Sequence, residues 1–285
     1  MFATGSENLG PHQWRLLARR IEELTADSDV DGVVVTHGTD TIEEAAFFLE
    51  LVCKSGKPVV LTGAMRPSTA LSADGPANLF QAVLAATSPQ LQSHGLLVVM
   101  NGLVIPGWQI IKTDSVALDS FHAYPGGPIG KIVGESLLVF GSPNLSPLVG
   151  RFHDHLRNDD ELPFVDIVLL RGGCGDQPLA DFGENACKGL VVAGFGSGTM
   201  PDNLTGLVAE TASSGCTVVV SSRVSRVTVL AETMTSVNSK NVFPSGFLNP
   251  QKSALLLSLA LDANLDALEL AELFRIKKTK AVLSF

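Results

Sequence analysis

The sequence is poor in cysteine, and the few cysteines present exclude two classes of protein. Four occur in 285 residues, and none forms a Cys-x-x-Cys pair. That spacing fits neither a zinc cluster nor the disulfide-dense scaffold of a small secreted protein. Cys53 and Cys216 lie in apolar stretches, and we expect each of them to be a small buried thiol.

Basic residues and long apolar runs are also scarce. The chain has 20 Lys and Arg against 29 Asp and Glu, a formal net charge of -9. That sign opposes binding to a phosphate backbone, which lysine and arginine must neutralise, so we expect no nucleic acid partner. No run approaches the roughly 18 apolar residues of a membrane span, and the first residues lack the pattern of a signal peptide. As written, the sequence predicts a cytoplasmic protein without a membrane partner.

Apolar material is ample, with 45% of the residues hydrophobic and 17% charged. This composition excludes disorder, and the length suggests about two domains. Short β-branched runs alternate with segments of helical period, such as residues 39–54, where Glu43, Glu44 and Glu50 lie opposite the apolar face. The alternation predicts an α/β fold with a doubly wound, mostly parallel sheet.

A polar segment interrupts this alternation and predicts a domain boundary. Residues 143–163 are rich in serine, proline and charged side chains, as is typical of a linker. We therefore expect a larger N-terminal domain over residues 1–142 and a smaller α/β domain over 164–285. Residues 253–274 of the second domain read as one leucine- and alanine-rich helix, or two.

Polar loops after the first predicted strands are the candidate sites, because ligands bind beyond the carboxyl ends of parallel strands. Residues 36–41 read Thr-His-Gly-Thr-Asp-Thr. Thr39 or Asp40 fits a helix cap, and the same backbone also fits an anion or oxyanion site. The next loop contains Arg66 and Asp74, which form either part of a site or a buried ion pair. Lys112 is either a surface lysine or, in a dry cleft near Asp40, a base for a threonine.

Two further sequence patterns allow a cofactor-binding or a metal-binding interpretation. Residues 194–198 read Gly-Phe-Gly-Ser-Gly, and with Arg223 they imitate a dinucleotide-binding motif. Thr199 stands where the motif needs its last glycine, and Pro201 interrupts the helix start, so nicotinamide binding is the weaker interpretation. His153 and His155 have no evident third partner, and we expect solvated histidines and no metal site.

Taken in order, the motifs resemble the bacterial-type L-asparaginase family, which includes glutaminase-asparaginases. The match is carried by residues 36–44, 63–67 and 72–76, and it continues through Lys112-Thr113, 221–224 and 248–252. It extends over nearly the whole chain, to about Phe274. The resemblance implies hydrolysis of the side-chain amide of L-asparagine, and of L-glutamine, to aspartate or glutamate and ammonia through a threonine acyl-enzyme. No cofactor is implied.

The resemblance also implies a set of site residues and an assembly. Thr39, Asp40 and Lys112 match a catalytic triad in which Lys112 and Asp40 tune Thr39, and Asp40 also holds the substrate's α-ammonium group. The matching substrate-binding positions are Ser6, Glu7, Gly38, Ala64 and Ser197. The serine at position 6 binds the α-carboxylate, and the one at 197 acts across a subunit interface, which implies a homotetramer. Glu7 and Ser197 resemble the dual-specificity branch more than the strict asparaginases.

Several features depart from the family pattern. Members begin with a strand carrying a threonine nucleophile, followed by a lid loop with a catalytic tyrosine, and this chain starts downstream of both. Its single tyrosine, Tyr124, lies well past the motifs. Trp108 replaces an arginine, and the supporting glutamate of the family aligns with Met234, two positions from Glu232.

Two hypotheses follow from these departures. In the first, the start is internal and the protein is a longer, active amidohydrolase; an upstream signal peptide would then move it to the periplasm. In the second, the chain is an inactive family member that binds amino acids or pairs with a full-length subunit.

Overall fold

The structure is a computed structural model that describes residues 1–141, 148–176, 179, 187–234, 237 and 239–275. The chain divides into two compact units, Met1–Glu161 and Leu162–Phe285.

A mixed sheet forms the centre of the first unit. Its strands are β1 Val33–Thr36, β2 Val59–Thr62, β3 Leu96–Met100, β4 Leu103–Pro106, β7 Gly130–Val133 and β8 Ser136–Val139, in the order β1-β2-β3-β4-β7-β8. The first three pair in parallel, and β4, β7 and β8 extend the sheet in antiparallel fashion. A separate antiparallel pair is formed by β5 Ile110–Lys112 and β6 Phe121–Ala123.

The described residues of the first unit form three α-helices: α1 Pro11–Ala26, α2 Ile42–Val52 and α3 Gly75–Ala86. On α1, the buried residues Trp14, Ala18 and Ile21 recur at helical spacing and form one apolar face. The Trp14 ring lies 5.8 Å from the Phe48 ring of α2, centroid to centroid. In α2 every residue from Phe47 to Val52 is buried, so this helix is enclosed on all sides.

The second unit is built on a parallel sheet with the order β12-β11-β10-β9. Its strands are β9 Val165–Leu169, β10 Gly189–Gly194, β11 Thr217–Ser222 and β12 Val242–Pro244, and its helices are α4 Asp202–Ser213, α5 Pro250–Asp262 and α6 Ala267–Leu273. All residues of β10 and β11 are buried, as is usual for central strands covered on both faces.

The α/β prediction with a mostly parallel sheet and a smaller second unit is confirmed. Three details differ. The helix expected from residue 39 begins at Ile42, which leaves Thr39 and Asp40 in a loop. The helical segment near the C-terminus is two helices, because the chain turns at Asn264, where φ is +53°. The antiparallel strands of the first unit were not predicted.

Two surface expectations also need correction. Glu43 and Glu50 are buried, with 6% and 2% of their surface exposed, because backbone amides of neighbouring strands donate hydrogen bonds to their carboxylates. His153 is not solvated but half-buried, and its Nε2 lies 2.8 Å from the Glu22 carboxylate on α1. In the described part of the chain, no three His, Cys, Asp or Glu side chains are grouped to hold a metal ion.

The cysteines divide into two kinds. Cys53 is a buried free thiol as expected, and burial, together with the negative charges of Glu22 and Glu50, raises its pKa. Cys216 is not a thiol but forms a disulfide with Cys187, with a Cα–Cα distance of 5.5 Å. The sequence does not predict this bond, because the two cysteines are 29 residues apart and the parallel pairing of β10 with β11 brings them together.

Among the described residues, no helix is long and apolar enough to span a membrane.

Candidate active site

The loop between β1 and α2 carries the first candidate residues. Thr41, rather than Thr39 or Asp40, is the N-cap of α2, and its side chain makes no capping hydrogen bond. Its hydroxyl instead donates to the backbone oxygen of Ser6 at 2.8 Å. The capping interpretation of Thr39 and Asp40 is therefore wrong, and both side chains are available for other contacts.

Lys112, at the end of β5, reaches both of these side chains. Its Nζ donates to Thr39 Oγ1 at 3.2 Å and to Asp40 Oδ1 at 2.9 Å. The lysine side chain is only 19% exposed, whereas Asp40 is 67% exposed. Lys112 is thus not a solvated surface lysine: the fold brings a lysine, a hydroxyl and a carboxylate into one hydrogen-bonded group. This group contains the residue types of an activated hydroxyl nucleophile or proton relay.

Ser6 borders the same loop from the turn before α1. It is 3% exposed, and its Oγ is buried without a hydrogen-bond partner. A Cβ on Gly38 would lie 2.6 Å from this Oγ, so only glycine permits the close approach. A buried hydroxyl without a partner beside an open loop can be satisfied by a bound ligand. Glu7, next in the chain, is exposed.

A network of hydrogen bonds shapes the loop after β2, which includes the exposed Ala64. The Asp74 carboxylate accepts from the amides of Met65 and Arg66, each at 2.9 Å. Of the two interpretations given for Arg66 and Asp74, the buried ion pair is not formed: Asp74 contacts the Arg66 backbone, and the Arg66 guanidinium donates to the Ser72 carbonyl. Burial alone would raise the pKa of Asp74, but the hydrogen bonds outweigh it and lower that pKa.

Two buried side chains tie this second loop to its neighbours. Asn78 Nδ2 donates to the Gly63 carbonyl at 3.0 Å, and its oxygen accepts from the Asn101 amide. The Met100 sulfur accepts from the Gly63 amide at 3.2 Å. The contacts hold the ends of β2 and β3 together at the edge where the candidate residues lie.

Sequence reasoning missed two residues near Thr39. Glu43 accepts a hydrogen bond from the Lys112 backbone amide, although it was placed opposite the apolar face of α2. His37 is buried, its Nδ1 lies 2.8 Å from the Gly38 carbonyl, and its Nε2 has no partner. Burial lowers the pKa of His37, partly offset by that hydrogen bond. The sequence offered one indication of their role: His37 lies inside the Thr-His-Gly-Thr-Asp-Thr segment, and Glu43 lies two residues after that segment.

Ser197 belongs to the second unit, where it is exposed in the turn after β10. The turn is closed by its own backbone: the Phe195 amide donates to the Thr199 carbonyl, and the amides of Gly198 and Thr199 donate to Phe195. The Arg223 guanidinium lies 4.5 Å from the centre of the Phe195 ring. These internal contacts use the amides and the arginine that a dinucleotide phosphate would need, so the nicotinamide interpretation is disfavoured.

Two positions at which the sequence departs from the family pattern, Met234 and Trp108, lie in different parts of the structure. Met234 is buried in the core of the second unit, while Glu232, in the same short 3-10 turn, is exposed. Trp108, which precedes β5, is partly buried.

Comparison with known proteins places these observations in a family. Residues 1–145 match the N-terminal asparaginase family model, and residues 164–274 match the glutaminase/asparaginase C-terminal domain. The chain is 39% identical to L-asparaginase 2 of Bacillus subtilis (strain 168), over 90% of this chain and 68% of that protein. It is 36% identical to L-asparaginase 2 of Escherichia coli (strain K12), over 95% and 77% respectively.

A glutaminase-asparaginase is also among the similar proteins. The enzyme of Pseudomonas fluorescens biotype A is 33% identical over 94% of this chain and 74% of its own length. The two family models together match residues 1–145 and 164–274, and each of the three relatives is more than 30% identical over at least 90% of this chain. The chain therefore belongs to the asparaginase family.

Proposed function

We propose that this protein is an amidohydrolase that releases ammonia from L-asparagine, and also from L-glutamine. The observation that carries the proposal is the hydrogen-bonded group of Lys112, Thr39 and Asp40. Family membership and relatives named L-asparaginase or glutaminase-asparaginase support the same reaction. The exposed Glu7 beside Ser6, and Ser197, favour the branch that accepts both amides.

The proposed reaction passes through a threonine acyl-enzyme. A threonine hydroxyl oxygen adds to the side-chain amide carbon and gives up its proton. The carbon–nitrogen bond then breaks, and the leaving nitrogen takes up that proton and departs as ammonia. Water then adds to the ester and releases the acid. Lys112 and Asp40 tune Thr39, which activates the attacking group, and Lys112 Nζ reaches Thr39 Oγ1 through its 3.2 Å contact.

Substrate binding uses the polar groups beside this triad. The buried, unpartnered Ser6 Oγ would donate to the substrate α-carboxylate, and Gly38 leaves room for that contact. Asp40, largely exposed in the free site, would accept from the α-ammonium group in a charge-assisted hydrogen bond. The backbone at Ala64 would contact the amide, and Ser197 would contribute from a neighbouring subunit.

Ammonia release tests the proposal directly. We expect Thr39→Ala and Lys112→Met to lower kcat on both substrates by about 100-fold or more, the usual contribution of a positioned acid–base group. Lys131→Met is the matched control, because Lys131 is an exposed lysine on β7, and it should stay within twofold of wild type. A thermal melt of each variant checks that it is folded.

The same assay distinguishes the active amidohydrolase from the alternative, an inactive family member that binds amino acids. A folded wild-type chain that binds L-aspartate in calorimetry but releases no ammonia would support the inactive amino-acid-binding protein instead. Activity that survives Thr39→Ala unchanged would remove Thr39 from the mechanism.

We also propose that the protein assembles as a homotetramer. Leu79, Phe80 and Val83 form a half-exposed apolar face on α3, which is unusual for a surface that meets only water. Light scattering should give a mass four times that of the 30.0 kDa chain. A monomer mass at micromolar concentration would contradict this assembly.

The disulfide bears on where the protein works. Disulfides persist in oxidising compartments and are rare in the cytoplasm. The bond between Cys187 and Cys216 therefore supports an exported protein, the second of the two locations that the sequence allowed.

A further inference from the structure

Glu43 contacts the proposed catalytic lysine through its backbone. The residue lies on the first turn of α2, three positions after Asp40, and is 6% exposed. Its Oε2 accepts a hydrogen bond from the Lys112 amide at 2.6 Å. This short contact between a carboxylate and an N–H is of the strong, charge-assisted kind.

The pairing of β5 explains why the Lys112 amide needs a partner outside its own sheet. In an antiparallel pair, alternate residues turn their N–H groups towards and away from the neighbouring strand. The Thr113 amide donates across to the Ser120 carbonyl, so the Lys112 amide points outward. There it meets Glu43, which supplies the acceptor that β6 does not.

The lysine is thereby fastened at both ends to one short segment. Its backbone amide is held by Glu43, and its Nζ is held by Thr39 and Asp40, which lie four and three residues before Glu43 in the chain. A displacement of β5 would carry Nζ away from Thr39, and the Glu43 contact opposes that displacement by holding the end of β5 against α2.

We propose that Glu43 is a positioning residue, which sets the reach of Lys112 Nζ to Thr39 by holding the Lys112 backbone against α2. The inference rests on the proposed function of that triad. Misplacement of a catalytic group by about 1 Å can cost on the order of 100-fold in rate, which sets the scale of the effect.

Glu50 provides a matched control on the same helix. It too is a buried glutamate whose carboxylate accepts a backbone hydrogen bond, from the Leu96 amide at 2.9 Å. Truncating either glutamate removes a buried acceptor and should destabilise the chain to a similar degree. The Glu43 hydrogen bond is made to Lys112 and the Glu50 hydrogen bond to Leu96, so we expect truncation of Glu43, and not of Glu50, to change the chemistry.

The experiment compares Glu43→Ala, Glu43→Gln and Glu50→Ala with wild type. We expect Glu43→Ala to lower kcat by 30- to 100-fold with KM within threefold. Glu43→Gln keeps a carbonyl acceptor and should recover kcat to within fivefold of wild type. Glu50→Ala should keep kcat within twofold despite a comparable fall in Tm. Equal losses of kcat in Glu43→Ala and Glu50→Ala would overturn the proposal.

A second measurement is independent of activity. Hydrogen exchange of the Lys112 amide should accelerate at least tenfold in Glu43→Ala and remain slow in Glu43→Gln and Glu50→Ala. Unchanged protection in Glu43→Ala would overturn the proposal whatever the chain catalyses. If that exchange accelerates as expected while wild type releases no ammonia, the contact stands and the proposed function is what has failed.

Discussion

At the scale of single residues, His37 shows how burial sets a charge state next to the proposed active loop. Its Nδ1 is engaged by the Gly38 carbonyl, and burial lowers its pKa below the ordinary value of 6.5. The folded protein therefore keeps this imidazole neutral at pH values at which the unfolded chain takes up a proton. Each pH unit below about 6.5 then favours unfolding by at most about 1.4 kcal/mol.

We predict that replacing His37 by glutamine flattens this acid dependence. The wild-type free energy of unfolding should fall as the pH drops from 7 to 5, and more steeply than that of His37→Gln. Denaturant titrations at several pH values measure the difference. His12→Gln, which changes an exposed histidine on α1, should keep the wild-type slope. Parallel curves for wild type and His37→Gln would contradict the prediction.

The candidate triad is predictable from sequence because the residue order around Thr39 is specific. The hydrogen bonds that support it are not. A glutamate on a helix reads as a solvent-facing residue, and nothing local in the sequence signals that the Lys112 amide will approach Glu43 from 69 positions away. The sequence pattern reports the polarity of Glu43 and not its burial.

At the scale of elements, the loop from β2 to α3 is held by a charged acceptor. Asp74 accepts two backbone amides and the Asn78 side chain, and together they lower its pKa. A carboxylate with a lowered folded-state pKa stabilises the protein above its ordinary pKa. The stabilisation is lost as the pH falls below about 4.

We predict that Asp74→Asn destabilises the protein by about 1–2 kcal/mol at pH 7, because a neutral amide accepts these hydrogen bonds less strongly and adds donors that they do not need. The difference in free energy of unfolding between Asp74→Asn and wild type should become smaller as the pH falls below 4. Chemical unfolding at pH 7 and at pH 3.5 measures it. Asp119→Asn, at an exposed position, serves as control. A gap that is as wide at pH 3.5 as at pH 7 would exclude the charge as its cause.

Element prediction succeeded where a segment had one clear period and failed where strands were short. The parallel strands before α2 and α3 were identified by their β-branched runs. The β3–β4 hairpin was missed although Asn101 and Gly102 carry the residues of a two-residue hairpin turn, and both have positive φ, 49° and 75°. The strand β4 that follows the turn is only four residues long, which is too short for its pattern to stand out in the sequence.

At the scale of the whole molecule, the second unit is closed by a covalent bond as well as by its core. The disulfide joins the residues that precede β10 and β11, with a sequence separation of 29. Cross-linking a loop of that length restricts the unfolded chain and is worth about 3–4 kcal/mol in the loop-entropy estimate.

We predict that reduction, or the double substitution Cys187→Ser with Cys216→Ser, lowers the stability of the second unit by about 3 kcal/mol. Melts with and without dithiothreitol measure the change, and the double variant should be insensitive to the reductant. Thiol titration of the unfolded, unreduced protein should find two free thiols, Cys53 and Cys174. Four free thiols would contradict the bond.

The disulfide also determines how the protein can be labelled. Cys187 and Cys216 stand before the amino ends of their strands, whereas the turn with Ser197 follows the carboxyl end of β10. A six-residue strand separates the two ends by about 20 Å. Cys216 is only 2% exposed, so a fluorophore or surface tether on the reduced protein would attach at the half-buried Cys187, and it would leave the turn that carries Ser197 unobstructed.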